Sequence, residues 1–250
     1  MKTGSMFVAI GFAVALASGA QGAEIRVLSS NAVKTALEEL APRFEKATEH
    51  KLAFTFGTAV GLKGDIEKGA AVDVAILTAS AVDDLIKQGK IAGSRTDLVR
   101  SSSGMAVRKG APKPDISTTE AFKRTLLEAK SIAYVEQGGT GIYLKGLLER
   151  LGIADEVKPK TRLLPSTNPA AQAVANGEAE IGMTQISEIL PYAGAELVGP
   201  LPAEIQLYTV FSAGTGTNAK EHDAAKTLIK FLTSPDAAPV FKAKGLEPAR

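Results

Sequence analysis

The sequence contains no cysteine and no tryptophan, two histidines, and aromatics at only 5% of its 250 residues. Without cysteine there is no disulfide, no thiolate nucleophile and no thiolate metal site. With so few aromatics, a stacking platform for bases or sugar rings has little to be built from. His50 and His222 lie in charged runs, Thr48-Glu49-His50-Lys51 and Lys220-Glu221-His222-Asp223, and read as surface residues. No HExxH-type pair exists, so neither a metal site nor a metal cofactor is expected. An excess of one charge is also missing: 29 basic and 27 acidic residues leave a formal net charge of +2. No dense basic run tracks a phosphate backbone, which argues against a nucleic-acid partner. Beyond the N-terminal segment, no apolar run is long enough to cross a membrane.

What is present at the N-terminus is a targeting pattern. Met1-Lys2-Thr3-Gly4-Ser5 gives a short positive start, Met6 to Ala17 is almost wholly apolar, and the small residues Ser18-Gly19-Ala20-Gln21-Gly22-Ala23 follow. This is the order of a cleavable secretory signal. Residues 1–23 are therefore expected to be removed, leaving an exported, periplasmic protein without membrane insertion. Over all 250 residues the chain is 45% hydrophobic and 22% charged, ordinary for a soluble α/β protein large enough for two cored lobes.

The mature chain repeats one rhythm: apolar strand, small or polar turn, amphipathic helix. Its clearest instance is Ser131 to Val135, then Gly138-Gly139-Thr140-Gly141, then Ile142 to Leu151 with apolar residues at helical spacing. Such a turn presents free N–H groups at a helix start, which suits an anion, while glycine lets a ligand approach the backbone. Similar units are expected at Glu24–Ser29 with Val33–Thr48, Lys51–Phe56 with Leu62–Lys68, and Val72–Leu77 with Ala81–Gln88. Val99–Arg108 reads as a strand that begins a crossover, and Glu204–Ser212 as the strand that returns. Between them, Ser117-Thr118-Thr119-Glu120 predicts a capping box, Leu163-Leu164 a short strand, Asn168–Ala175 a helix, and Glu180–Thr184 a strand followed by a helix from Gln185. His222–Leu232 and Ala237–Lys244 are expected as closing helices. Ligands of such folds bind at the carboxyl ends of strands.

The motifs Ala36-Leu37-Glu38-Glu39-Leu40-Ala41 with Phe44-Glu45, Phe56-Gly57, Ile66-Glu67-Lys68-Gly69 with Asp73-Val74, Gly141-Ile142-Tyr143, Leu148-Glu149-Arg150-Leu151-Gly152 and Asn176-Gly177-Glu178-Ala179 resemble those of periplasmic solute-binding proteins of the type II fold. The branch is that of the molybdate-binding proteins. The resemblance implies an α/β chain with two lobes, mixed and mostly parallel sheets, and a cleft between lobes. Residues 24–105 and 208–250 would form lobe 1 and residues 106–207 lobe 2, with a hinge near Val99–Gly110 and Glu204–Gly214. It implies a monomer that binds a small anionic solute, uses no cofactor, and delivers the solute to an ABC permease. The ligand-binding residues it points to are Ser29, Ser30, Asn31, Thr58, Ala59, Gly139, Thr140, Gly141, Asn168 and Gln185.

At several of these positions the sequence departs from the molybdate pattern of serines, a Pro-Ala-Gly turn and a tyrosine. Asn31, Thr58-Ala59-Val60, Gly139-Thr140-Gly141 and Gln185 stand there instead, which suggests a larger polar ligand such as a carboxylate. The same branch includes a cofactor-free aconitate isomerase, whose allylic proton shift needs a base beside a C–H bond. Glu136 and Tyr143 are the candidate catalytic residues for that alternative. Lys34, Lys63 and Arg108 are further candidates to reach the cleft, each also readable as a surface residue.

Overall fold

The computed structural model describes residues 22–166 and 168–249; the expected signal lies largely outside them. The chain order is β1 (Glu24–Ser30), α1 (Lys34–Thr48), β2 (Lys51–Gly57), α2 (Ala59–Glu67), β3 (Val74–Thr78), α3 (Ala79–Lys87) and the long β4 (Ile91–Arg108). Then come α4 (Thr119–Glu128), β5 (Ile132–Val135), α5 (Gly139–Arg150), α6 (Ala154–Val157), β6 (Thr161–Leu164), α7 (Ala170–Ala175), β7 (Ile181–Gln185) and α8 (Ile186–Ile189). The chain closes with β8 (Ala195–Pro200), β9 (Tyr208–Gly216), α9 (His222–Leu232), α10 (Ala238–Ala243) and β10 (Glu247–Pro248).

The strands hydrogen-bond in the order β2-β1-β3-β9-β4-β7-β5-β6, with β8 and β10 also on β4. Pairing is parallel among β1, β2 and β3 and among β5, β6 and β7, and antiparallel wherever β4 or β9 takes part. β4 belongs to both lobes. Its pairing with β9 ends at Ser102↔Tyr208, and its pairing with β7 starts at the next residue, Ser103↔Gln185. β4 therefore carries the chain from one lobe to the other, and the chain returns to the first lobe where β9 begins at Tyr208.

Alternation along each buried strand makes the helix layers. Val74 and Ile76 of β3 join Ile25 and Val27 of β1 in a core with Leu37, Leu40 and Phe44 of α1 and Leu228 and Phe241 of α9 and α10. The intervening Ala75 and Leu77 face the opposite way, onto Leu62, Ile66, Val82 and Leu85 of α2 and α3. A period of two sends successive side chains to opposite faces, so both faces of the sheet are covered. The second lobe has its own core, with Phe122, Leu126, Ile132, Leu144, Leu147 and Met183. Burying one such large side chain stabilises by roughly 1.5–3 kcal/mol.

Several elements differ from the sequence expectation. β4 begins at Ile91 rather than Val99, because Gly93, Ser94 and Arg95 break the apolar alternation, forming an irregularity between pairings with β9 at Ala92 and Thr96. β9 starts at Tyr208; Ala203–Ile205 ahead of it is a 3-10 turn. β8, β10 and α6 are additional: β8 and β10 are edge segments whose partners lie far away in sequence, and α6 is a single short turn. α4 is capped by Thr118, whose hydroxyl accepts from the Ala121 N–H at 3.1 Å, and not by a Ser117–Glu120 box. The Ser117 N–H instead donates to Asp115 at 2.9 Å. α5 starts at Gly139, earlier than its apolar periodicity, since the glycine turn is itself helical.

Candidate functional site

The parallel strands β1, β2, β3, β5 and β7 end at Ser30, Gly57, Thr78, Val135 and Gln185, and these ends, all five, line one cavity. Immediately after them begin the turn into α1, then α2, α3, α5 and α8. A helix start leaves backbone N–H groups without intrahelical partners and carries partial positive charge. The cavity also collects Asn31, Thr58, Ala59, Gly138, Gly139, Thr140 and Gly141. Its volume of about 50 Å³ is several times the roughly 10–15 Å³ that a single water needs, which suits a small solute.

The glycine turn is built by close approach. A Cβ on Gly141 would sit 2.1 Å from the Val135 carbonyl oxygen, so only glycine lets α5 fold back onto the end of β5. Thr58 accepts from the Gly61 N–H at 3.1 Å and Thr78 from the Ala81 N–H at 3.4 Å, so these hydroxyls cap α2 and α3 beside the cavity. Ser30 precedes the turn into α1 and makes no capping bond.

A buried polar network joins the lobes at the base of the cavity. Gln185, 4% exposed, donates from Nε2 to Thr140 Oγ1 at 3.1 Å and to Thr209 Oγ1 at 3.2 Å. Thr140 Oγ1 lies 3.1 Å from Ser103 Oγ. Gln185 Oε1 is buried with no hydrogen-bond partner. The Thr140 and Thr209 hydroxyls can each donate or accept, so the amide can turn either its oxygen or its NH2 outward.

Among the described residues the cavity lining contains no lysine, arginine or histidine, and Glu188 is its one acidic residue. The Thr184 hydroxyl donates to Glu188 Oε2 at 2.5 Å. Burial pushes the Glu188 carboxyl above the usual carboxylate range, outweighing the Thr184 hydroxyl and the Gln185 backbone N–H, which act the other way.

Of the residues singled out from sequence, Ser30, Asn31, Thr58, Ala59, Gly139, Thr140, Gly141 and Gln185 line the cavity. Ser29 is fully buried and lies outside the lining. Asn168 also lies outside it and donates to Glu178 at 3.4 Å, although Ser166 and Pro169 on either side of it do line it. Glu136 faces a separate outer groove with Ile142, Lys145 and Lys158. The Tyr143 hydroxyl donates to the Ile205 carbonyl at 2.8 Å, and the Arg150 guanidinium lies 5.6 Å from its ring centre. Neither Glu136 nor Tyr143 lines the cavity: Glu136 lies in the turn between β5 and α5 and faces the outer groove, and Tyr143, on α5, is tied to Ile205. Lys34 pairs with Glu38, and Lys63 with Glu67 and Asp84, and Arg108 packs near Gly177; none of the three lines the cavity. His50 is partly buried and accepts from the Ala23 N–H at 3.0 Å. Among the described residues no group of three His, Asp or Glu could hold a metal, and no helix is long and apolar enough to cross a membrane.

Glu188, Thr78, Thr184, Ser166 and Thr209 are cavity residues that the sequence reasoning passed over. Thr78 and Thr184 had the same signal as Thr58, a hydroxyl at a strand end. Thr209 had none, since it arrives on the returning strand.

The comparisons agree with this architecture. The family of bacterial extracellular solute-binding proteins matches residues 25–247. An aconitate isomerase from Pseudomonas sp. is 36% identical over 231 residues, covering 90% of this chain and 87% of the relative. The molybdate-binding protein ModA of Azotobacter vinelandii is 28% identical over 246 residues, 96% of each chain. Among solved structures, the periplasmic molybdate-binding protein of Azotobacter vinelandii aligns with a TM-score of 0.76 at 21% identity, covering 90% of this chain and all of the other. The sulfate-binding protein SubI of Mycobacterium tuberculosis aligns with a TM-score of 0.73 at 13% identity, covering 91% and 87%. These likenesses give the type II periplasmic-binding-protein fold, and with the family match spanning nearly every described residue, the chain belongs to the bacterial extracellular solute-binding proteins.

Proposed function

We propose that this is an exported binding protein whose cleft captures a small anionic solute, a carboxylate in preference to molybdate, and hands it to an ABC-type importer. The observation that carries this reading is the cavity at the strand ends, ringed by helix starts and neutral hydroxyl and amide groups with no cation. Fixed dipoles of this kind bind an anion without a counter-charge. Asn31, Thr140 and Gln185, where molybdate-binding relatives would carry other groups, favour a larger and more polar ligand. Ser103 of β4 and Thr209 near the start of β9, beside the point where β4 passes between the lobes, bond the lining residues Thr140 and Gln185.

The test is thermal unfolding of the protein from Glu24 onward with molybdate, tungstate, sulfate, citrate and each aconitate isomer. A ligand at a hundredfold excess over its dissociation constant stabilises by about 2.7 kcal/mol. The reading expects a polycarboxylate to raise the midpoint most. Stabilisation by molybdate or tungstate alone would overturn the preference for a carboxylate, and stabilisation by none of these anions would overturn the reading.

The second reading is a cofactor-free isomerase, supported by the 36% identity to a relative named aconitate isomerase. Proton spectra of cis- and trans-aconitate recorded after incubation distinguish the two readings. Interconversion at a rate proportional to protein concentration supports the enzyme; unchanged spectra with tight binding support the receptor.

A further inference from the structure

We infer that Glu188 carries a proton in the cleft and donates it in a hydrogen bond to the bound anion, so that capture of the anion is proton-linked. This rests on the reading of the cleft as a small-anion site. Glu188 sits at the third position of α8, where a carboxylate often reaches back to the helix start, and a purely capping role would explain its contact to the Gln185 N–H. Capping alone does not explain its place in the wall of a narrow ligand cavity with no cation among the lining residues. An anion held in about 50 Å³ lies close to this carboxyl, and two negative groups sharing such a site retain one proton between them. The Thr184 hydroxyl, donating to Oε2, orients the carboxyl. Gln185, whose buried Oε1 lacks a partner, is a second nearby group with hydrogen-bonding capacity unmet by the protein.

The groups facing Glu188 leave little else to titrate. β7 contributes Thr184 and Gln185, and the turn after α8 contributes Tyr192, a phenol raised first by burial and then by the Glu188 charge. Among the described residues, no lysine, arginine or histidine lines the cavity beside the carboxyl. The ligand class that follows is an oxyanion, most simply a carboxylate, able to accept a hydrogen bond from a neutral carboxylic acid. Binding should therefore weaken as Glu188 ionises.

The experiment is titration calorimetry with trans-aconitate and citrate between pH 7 and 10, where both probes are fully ionised or nearly so. Affinity should fall by up to about tenfold per pH unit, the limit for linkage to a single proton. In E188Q, which keeps a neutral donor of the same shape, that slope should vanish. Thr184→Val removes a donor that favours the ionised carboxyl, so it should move the fall to higher pH; this variant decides the matter if E188Q fails to fold or to bind. A flat wild-type profile, or one with the same slope in E188Q, would overturn the inference and leave anion capture standing. Absence of binding by any anion in the thermal assay would instead overturn the reading beneath it.

Discussion

Asp73 offers the most quantitative test of how the first lobe is held. It precedes β3 and is fully buried. Its Oδ2 accepts from the Arg26 backbone N–H and from Arg26 Nε, both at 2.8 Å; its Oδ1 accepts from Arg26 Nη2 at 2.8 Å and from the Lys220 N–H at 2.9 Å. One carboxylate thus joins β1, β3 and the segment after β9. Burial alone would raise its pKa, but the Arg26 side chain and the backbone donors of Arg26 and Lys220 outweigh it and bring it down to about 2. Relative to a carboxyl titrating near its ordinary 3.8, this amounts to about 2–3 kcal/mol of stability.

Because the folded pKa is the lower one, that stability is fully present above about pH 4 and is lost as pH falls towards about 2. Asp73→Asn should cost at least about 2 kcal/mol at pH 7, or roughly 4–8 °C in a protein of this size. Asp73→Ala, which strands the Arg26 guanidinium, should cost about 3 kcal/mol, the low end for a broken buried pair because Arg26 is partly exposed. Urea unfolding of wild type and Asp73→Asn at pH 7, 4, 3 and 2 measures the gap between them. A gap below about 1 kcal/mol at pH 7 would refute the assignment of stability to this cluster. So would a gap that fails to narrow between pH 4 and 2.

Gly141→Ala should lower the melting temperature and abolish anion-induced stabilisation, since its Cβ would meet the Val135 carbonyl oxygen at 2.1 Å. Gly139→Ala, with nothing within 4 Å of the added Cβ, should leave the ligand-free melting temperature nearly unchanged, and the pair measured side by side separates steric close approach from mere glycine content. Thr140→Val removes the partner of Gln185 Nε2 and Ser103 Oγ and should cost about 1–3 kcal/mol in chemical unfolding, with weaker anion binding by calorimetry.

Much of the architecture was legible in the residues themselves. The alternation of Val74 to Leu77, the spacing of Leu37, Leu40 and Phe44, and the small turns after each strand depend only on near neighbours, and each folds as its pattern dictates. The strand-end residues Ser30, Asn31, Thr58, Thr140 and Gln185 follow directly, because a parallel α/β unit always brings those ends to one side. Glu136 and Tyr143 show where that logic stops. Both flank the glycine turn in sequence, yet one lies on an outer groove and the other bonds Ile205, since where a side chain points is set by how its turn or helix seats on the sheet.

The sequence by itself determined the two kinds of local element, the rhythm that repeats them and the neutral, cation-poor chemistry of the strand ends. Tertiary structure alone decided that Thr209 joins the cavity lining and Ser103 bonds Thr140, that β4 runs unbroken through both lobes, and that Glu188 stands at the wall of the cavity. Those three depend on pairings such as Ser103↔Gln185 and Ser102↔Tyr208, between residues about eighty or more positions apart. Local propensity carries no information about such partners; only the closing of the chain on itself chooses them.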